Sequence, residues 1–258
     1  MSVFNKMLAS VGIGSAKVDA RLNNGTVRVG GSLEGEINIQ GGSAEQHIDR
    51  IYLHLMTQYL KQQGDNTQRI NHVIEKWEIS QPLTIGPGEQ VDIPFTLEVP
   101  LTTPVTLGKV PVWLKTGLDI DNAIDPKDTD QLEVLPHPHM QAVLNAVKHL
   151  GFRLKTSTCE YSTSKSRLEP FVQEIEFYPP ESFGVSVREL ELIFFLEPHR
   201  VEVLVEVDRK GSGVGGLLAR AFDMDERKNF IRFSQEELER GREYIGKQLT
   251  AVIAQLAR

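Results

Sequence analysis

A single cysteine, Cys159, stands in a chain of 258 residues, so no internal disulfide can form. That scarcity points to folding in a reducing compartment, with the cytosol as the default. Long apolar runs are missing too, since no window approaches the roughly 20 apolar residues that a membrane-spanning helix needs. The opening MSVFNKMLASVGIGSA holds only short apolar runs and does not read as a secretion signal. Basic residues are outnumbered, 28 Lys and Arg against 35 Asp and Glu, and the formal net charge of −7 leaves no field to draw in a polyanion. General nucleic-acid binding is therefore not expected. Only a small local basic patch is left to that chemistry.

What is present is ordinary globular material, 40% hydrophobic and 24% charged, enough for one large or two medium domains. Met1, Phe4, Met7, Leu8 and Val11 fall at helical spacing and predict a short amphipathic helix docked on the body, with membrane-surface contact as the other reading. From Ala16 to about Val134 the period is two, beginning with Val18, Ala20 and Leu22 between Lys17, Asp19 and Arg21. Strand-like runs recur at 34–39, 50–59, 71–80, 90–99 and 110–120, separated by turn-rich stretches such as Asn23-Asn24-Gly25 and Gly86-Pro87-Gly88. Short strands without long intervening helices indicate an antiparallel sandwich.

At Pro136 the pattern changes. Met140, Val143, Leu144, Val147 and Leu150 share one helical face, Pro138 suits the first turn, Lys148 and His149 suit the negative end, and Gly151 can cap it. Period two then returns at 152–161, 171–180, 186–197 and 200–210, with a hairpin expected at Glu197-Pro198-His199. Ser234 to Glu237 has the form of a capping box opening a final helix to about Ala257. The expected organisation is mainly all-β: a sandwich over 1–135, a linker helix over 136–151, and a second sandwich with a terminal helix over 152–258.

Two all-β halves joined by a linker form an arrestin-like plan, and particular segments carry a closer likeness. VRVGGSLEGEINIQGG followed by IDRIYLHLMTQY resembles the first strands of an arrestin-type domain. GPGEQVDIPFTLEVPLTTP, VWLKTGLDIDNAIDPKDTDQLEVLPHP and MQAVLNAVKHLGFRL resemble the bacterial sporulation-control protein M family, over essentially the whole chain and most specifically over 110–152. The resemblance implies two arrestin-like β-sandwich domains and a cytoplasmic protein that influences the onset of sporulation through partners. It implies no catalytic chemistry and no cofactor.

Several local patterns invite a sharper chemistry. VEVDRKGSGVGGLLARAF places Gly211, Gly213 and Gly216 in G-x-G-x-x-G after an alternating strand. A dinucleotide site needs that motif inside a βαβ unit, and only the short run Asn229–Phe233 follows as a candidate strand, so the glycines read as a loop. Asp119, Asp121, Asp125, Asp128 and Asp130 offer hard oxygen ligands, yet Ala123 and Ile124 stand where an EF-hand requires a ligand and a glycine. They read as an exposed acidic loop, an irregular cation site, or a source of an aspartate–arginine pair between domains. His137, His139 and His149 have no cysteine nearby and read as linker histidines rather than zinc ligands. Cys159 lies in a strand without a partner base, and Ser162, Ser164 and Ser166 lie in a polar loop without a G-x-S-x-G elbow. Lys17 and Arg21 share a strand face where phosphate-sensing arrestins carry basic residues, but Asp19 stands between them.

No catalytic, cofactor or metal residues are therefore assigned. The chain reads as a non-enzymatic regulatory or scaffold protein working through other proteins, with self-association included and a membrane-peripheral adaptor as the alternative. The terminal helix carries an apolar stripe of Leu238, Ile245, Leu249, Val252, Ile253 and Leu256 that must be covered. Leu249, Val252, Ile253 and Leu256 are the candidate partner-binding residues. For the glycine motif, the expectation is that calorimetry with NAD, FAD or ATP gives no heat above dilution; micromolar binding abolished by Gly213→Val would contradict it.

Overall fold

The structure, a computed structural model, describes residues 15–79, 82–120, 125–183, 186–209 and 230–257. The amphipathic pattern at the N-terminus and the glycine motif at 211–216 lie outside the described residues. The chain is mainly β and divides into two compact units, one made of 1–58, 70–106 and 111–135, the other of 59–69, 107–110 and 136–258.

The first unit is built from strands whose alternation gives each an apolar and a polar face. β1 (Lys17–Leu22), β3 (Ser32–Gln40) and β7 (Gln90–Glu98) form an antiparallel sheet in the order β1-β3-β7. β2 (Thr26–Arg28) pairs in parallel with β10 (Glu133–Leu135). β8 (Val112–Ile120) pairs antiparallel with β4 (Gln46–Gln63), and β9 (Lys127–Gln131) with β8; β5 (Asn66–Glu78) and β6 (Leu83–Ile85) also pair with β4. β1 lies against β8 and β9, so the two layers enclose Ile37, Ile39, Ile51, Leu53, Leu114 and Leu118, all with no exposed surface. Where Tyr52 pairs with Gly117, a Cβ on that glycine would fall 2.3 Å from the tyrosine ring. The aromatic side chain occupies the space that the missing one leaves.

In the second unit β11 (Arg153–Tyr161), β12 (Phe171–Tyr178), β13 (Val187–Glu197), β14 (Arg200–Arg209) and β15 (Phe230–Ser234) form an antiparallel sheet in the order β15-β14-β13-β12-β11. The hairpin between β13 and β14 turns where Glu197 pairs with Arg200. Among the described residues the second layer here is helical rather than a second sheet. α1 (Pro138–His149) packs on β13 and β14 and buries Met140, Val143, Ala146 and Val147, so it belongs to this unit's core as well as joining the halves.

The terminal helix is two helices. α2 (Gln235–Glu239) opens on a complete capping box, in which Glu237 N–H donates to Ser234 Oγ and Ser234 N–H donates to the Glu237 carboxylate. α3 (Arg242–Leu256) follows after Gly241, whose φ of 89° interrupts the run. The period of the stripe gave no sign of this break, because a glycine is tolerated within a helix and also free to leave it.

α3 packs against α1 and β14, and Leu249 and Ile253 are both 0% exposed. The partner-binding role expected for Leu249 and Ile253 is thus corrected: both are core, because the sheet face beneath them is apolar and must be covered by something. Val252 and Leu256 are partly exposed. Leu249→Ala should cost about 2–5 kcal/mol in a urea titration. A Leu249→Asp, Ile253→Asp pair should abolish the cooperative melting transition, and an unchanged melt would contradict this packing.

Candidate functional site

The second unit's sheet turns its other face away from the helices. Alternation places Glu189, Glu191, Ile193 and Phe195 of β13 on that side, opposite the fully buried Leu190 and Leu192. Register then fixes what stands beside what. Glu191 is directly opposite Glu176 of β12 on one side and Glu206 of β14 on the other, while Phe195 faces Glu202 and Ile193 faces Leu204. Glu202 in turn faces Arg232 of β15, and Leu204 faces Phe230.

A row of carboxylates across three neighbouring strands is repulsive unless cations are brought to it. Two lysines do so. Lys155 on β11 places Nζ 2.8 Å from Glu176 and 2.5 Å from Glu189. Lys165 comes from the loop between β11 and β12, residues 162–170, and places Nζ 2.8 Å from Glu206 and 3.4 Å from both Glu174 and Glu191. Two residues further along the same loop, Arg167 donates to Glu202, which also accepts from Arg232. The Arg167 guanidinium lies 4.0 Å from the centroid of Phe195 and 5.8 Å from that of Phe230. Those rings pack on an apolar cluster of Val172, Ile193 and Leu204.

The charges here are strongly perturbed. Burial, followed by repulsion from Glu174, pushes the Glu191 carboxyl up to about 8, because one ammonium shared among three carboxylates does not offset both. Burial would lower Lys165, but the field of Glu191, Glu206 and Glu174 overrides it and raises the ammonium. Burial would raise Glu202, yet the hydrogen bonds from Arg167 and Arg232 hold it below the usual carboxylate range. Elsewhere in this unit, a crevice of about 750 Å³ between α1 and α3 is lined by Lys148, His149 and Arg242 beside Leu238 and Ile245.

The acidic run of the first unit separates into different jobs. Asp119 takes both Arg50 Nε at 3.0 Å and Nη2 at 2.5 Å across the β4–β8 pairing, so this aspartate–arginine pair lies within one unit. Asp125 accepts the Ile120 N–H at 3.2 Å, and Asp128 accepts the Ala20 N–H at 2.9 Å. Burial and the neighbouring Asp128 and Asp19 raise Asp130 to about 7. Asp121 lies outside the described residues. Arg21 is engaged by Asp19 at 3.2 Å and Glu36 at 3.6 Å, which weakens Lys17 and Arg21 as an anion-sensing pair.

Other sequence candidates find structural roles. His137 Nδ1 accepts the His139 N–H at 3.2 Å and caps α1, with the two rings edge to face at 4.6 Å. Cys159 is 2% exposed, and burial together with Glu160 and Glu174 raises its thiol, so it is no reactive thiolate. Ser162, Ser164 and Ser166 lie on the loop that carries Lys165 and Arg167. Those two cations were not singled out in the sequence. Their signal was only a Lys-Ser-Arg in a polar loop together with glutamates at period two, and what they meet depends on register between strands.

The fold and this face define a mainly-β protein of two units with a charged, aromatic-backed surface on the second. Residues 4–211 match the sequence family described as SpoOM protein. A relative from Bacillus subtilis (strain 168), "Sporulation-control protein spo0M", is 41% identical over 240 residues, covering 93% of each chain. The crystal structure of Spo0M, sporulation control protein, from Bacillus subtilis aligns with a TM-score of 0.87 and 38% identity, over 95% of this chain and 100% of that one. The chain belongs to the SpoOM family.

Two raised carboxyls set the sign of a pH effect. Glu191 and Asp130 hold protons in the folded chain that the unfolded chain releases near 4.5 and 3.8, so their stabilisation is complete below those values and is lost as pH rises through about 8 and about 7. Melting temperature should therefore fall between about pH 5.5 and about pH 8.5, and Glu191→Gln and Asp130→Asn should each flatten the slope. A slope unchanged in both variants would contradict these assignments.

Proposed function

We propose that this chain is a non-enzymatic regulatory protein that acts in control of the onset of sporulation by binding other proteins in the cytoplasm. The observation that carries the reading is the outer face of the second unit's sheet, where carboxylates stand beside Phe195 and Phe230 under a polar loop whose Leu168 is 84% exposed. Aromatic side chains and arginine are the residue types enriched in recognition surfaces, and here Phe195, Phe230, Arg167 and Arg232 stand together. Kinship with a relative named for sporulation control supports the process in which it acts.

The same acidity weighs against a membrane-peripheral adaptor on this face, because anionic headgroups repel carboxylates. Among the described residues no helix is long and apolar enough to cross a membrane.

The test is complementation. In Bacillus subtilis lacking its own sporulation-control protein, expression of this chain should restore the normal timing and yield of spores, whereas the Leu249→Asp, Ile253→Asp form should not. Failure to restore either, with the chain present at the native level by immunoblot, would overturn the reading. Co-sedimentation with anionic vesicles would instead favour the adaptor.

A further inference from the structure

The loop 162–170 behaves as an occupant of the outer face rather than as part of the sheet. Ser162 N–H donates to Pro170 O at 3.1 Å and Lys165 N–H to Ser162 Oγ at 3.0 Å, so these bonds close the loop on itself. Its hold on the sheet described above is through side chains: Lys165 among Glu174, Glu191 and Glu206, and Arg167 between Glu202 and the rings of Phe195 and Phe230. Salt weakens an ion pair in proportion to its exposure and leaves a strand ladder alone, so of the two anchors Arg167, with its side chain 45% exposed, is the one salt loosens first.

We propose that Lys165-Ser166-Arg167 is a built-in stand-in for a partner, and that the face beneath it is a binding site for a protein segment carrying two cationic side chains two residues apart. This rests on the interaction reading above and names the chemistry of its partner.

Charge complementarity selects that occupant. With the loop lifted, Glu174, Glu191, Glu206 and Glu202 would face Arg232 as their remaining paired cation, and two aromatic rings over an apolar cluster would meet water. An acidic or purely apolar segment would leave those carboxylates uncompensated. A segment with an ammonium and, two residues on, a guanidinium restores both the ion pairs and the stacking over Phe195. The loop is a competitor for its own site, so partner affinity is reduced by the fraction of time the loop is down.

The experiment uses the full chain and the labelled peptide STSKSRLEP, the sequence of residues 162–170. A Lys165→Gln, Arg167→Gln variant should bind that peptide about tenfold more tightly than the unmodified chain by fluorescence anisotropy, with affinity falling as salt rises. Adding Glu206→Gln and Glu202→Gln, or replacing both basic residues of the peptide by Gln, should remove the binding. Trypsin supplies a second readout on the unmodified chain, since Lys165 and Arg167 are themselves cleavage sites. Cleavage there should rise about tenfold between low and high salt, relative to cleavage after Arg69 at an exposed hairpin end, while circular dichroism stays constant.

A released variant that ignores the peptide, binding unaffected by the glutamate changes, or cleavage at Lys165 and Arg167 that only tracks Arg69 would each overturn the proposal. So would dimerisation of the released variant, which would assign the face to a second copy of the chain. If these assays succeed while complementation fails, the sporulation reading falls and the cation site stands; the reverse pattern removes only the site.

Discussion

Glu191 sits directly between two other glutamates on neighbouring strands, and that row is tolerated because Glu191 keeps its proton while cations from outside the strand pairing reach the carboxylates around it. Much of the outer face follows from this demand. One lysine comes from β11 and one from a loop, the loop brings an arginine two residues later, and that arginine lands on the rings of Phe195 and Phe230. The two faces of one sheet thus obey opposite rules. The inner face is satisfied by helices carrying Val143, Val147, Leu249 and Ile253, and the outer by charge pairing that remains responsive to protons and salt.

Much of this architecture could be read from local pattern. The period-two runs became strands, the spacing from Met140 to Val147 became α1, Pro138 took its first turn, and the capping box at Ser234 formed as its residue types predict. These features depend on neighbours within a few residues. The break at Gly241 did not show, since whether a glycine bends depends on what the following helix must reach. The terminal stripe showed that something must cover it but not what, and the answer was α1 and β14 of the same unit.

The acidic stretch of the first unit makes the same point. Five aspartates within twelve positions read as one feature, yet in the fold one pairs with Arg50, one closes a turn at Ile120, one accepts the Ala20 N–H from β1, and one is pressed toward neutrality. Sequence proximity grouped them; strand geometry separated them. The site on the second unit is the converse, because Lys165, Glu191, Glu202 and Phe230 are distant in sequence and meet only through register.

The end of the β4–β5 hairpin carries a further consequence. Residues 59–69 belong to the second unit, where the Tyr59 ring stacks at 5.6 Å on Phe171 and at 6.2 Å on Tyr161, and Lys61 lies 4.2 Å over Tyr161. A chain begun at Pro136 would contain every strand from β11 to β15 and the three described helices, and would still lack an aromatic side chain that its own core packs against. During synthesis that piece is made long before the rest of its unit, and it has to wait for Phe171 to emerge. The boundary between the two units is therefore a property of space and not of the gene, and no single cut releases either of them whole.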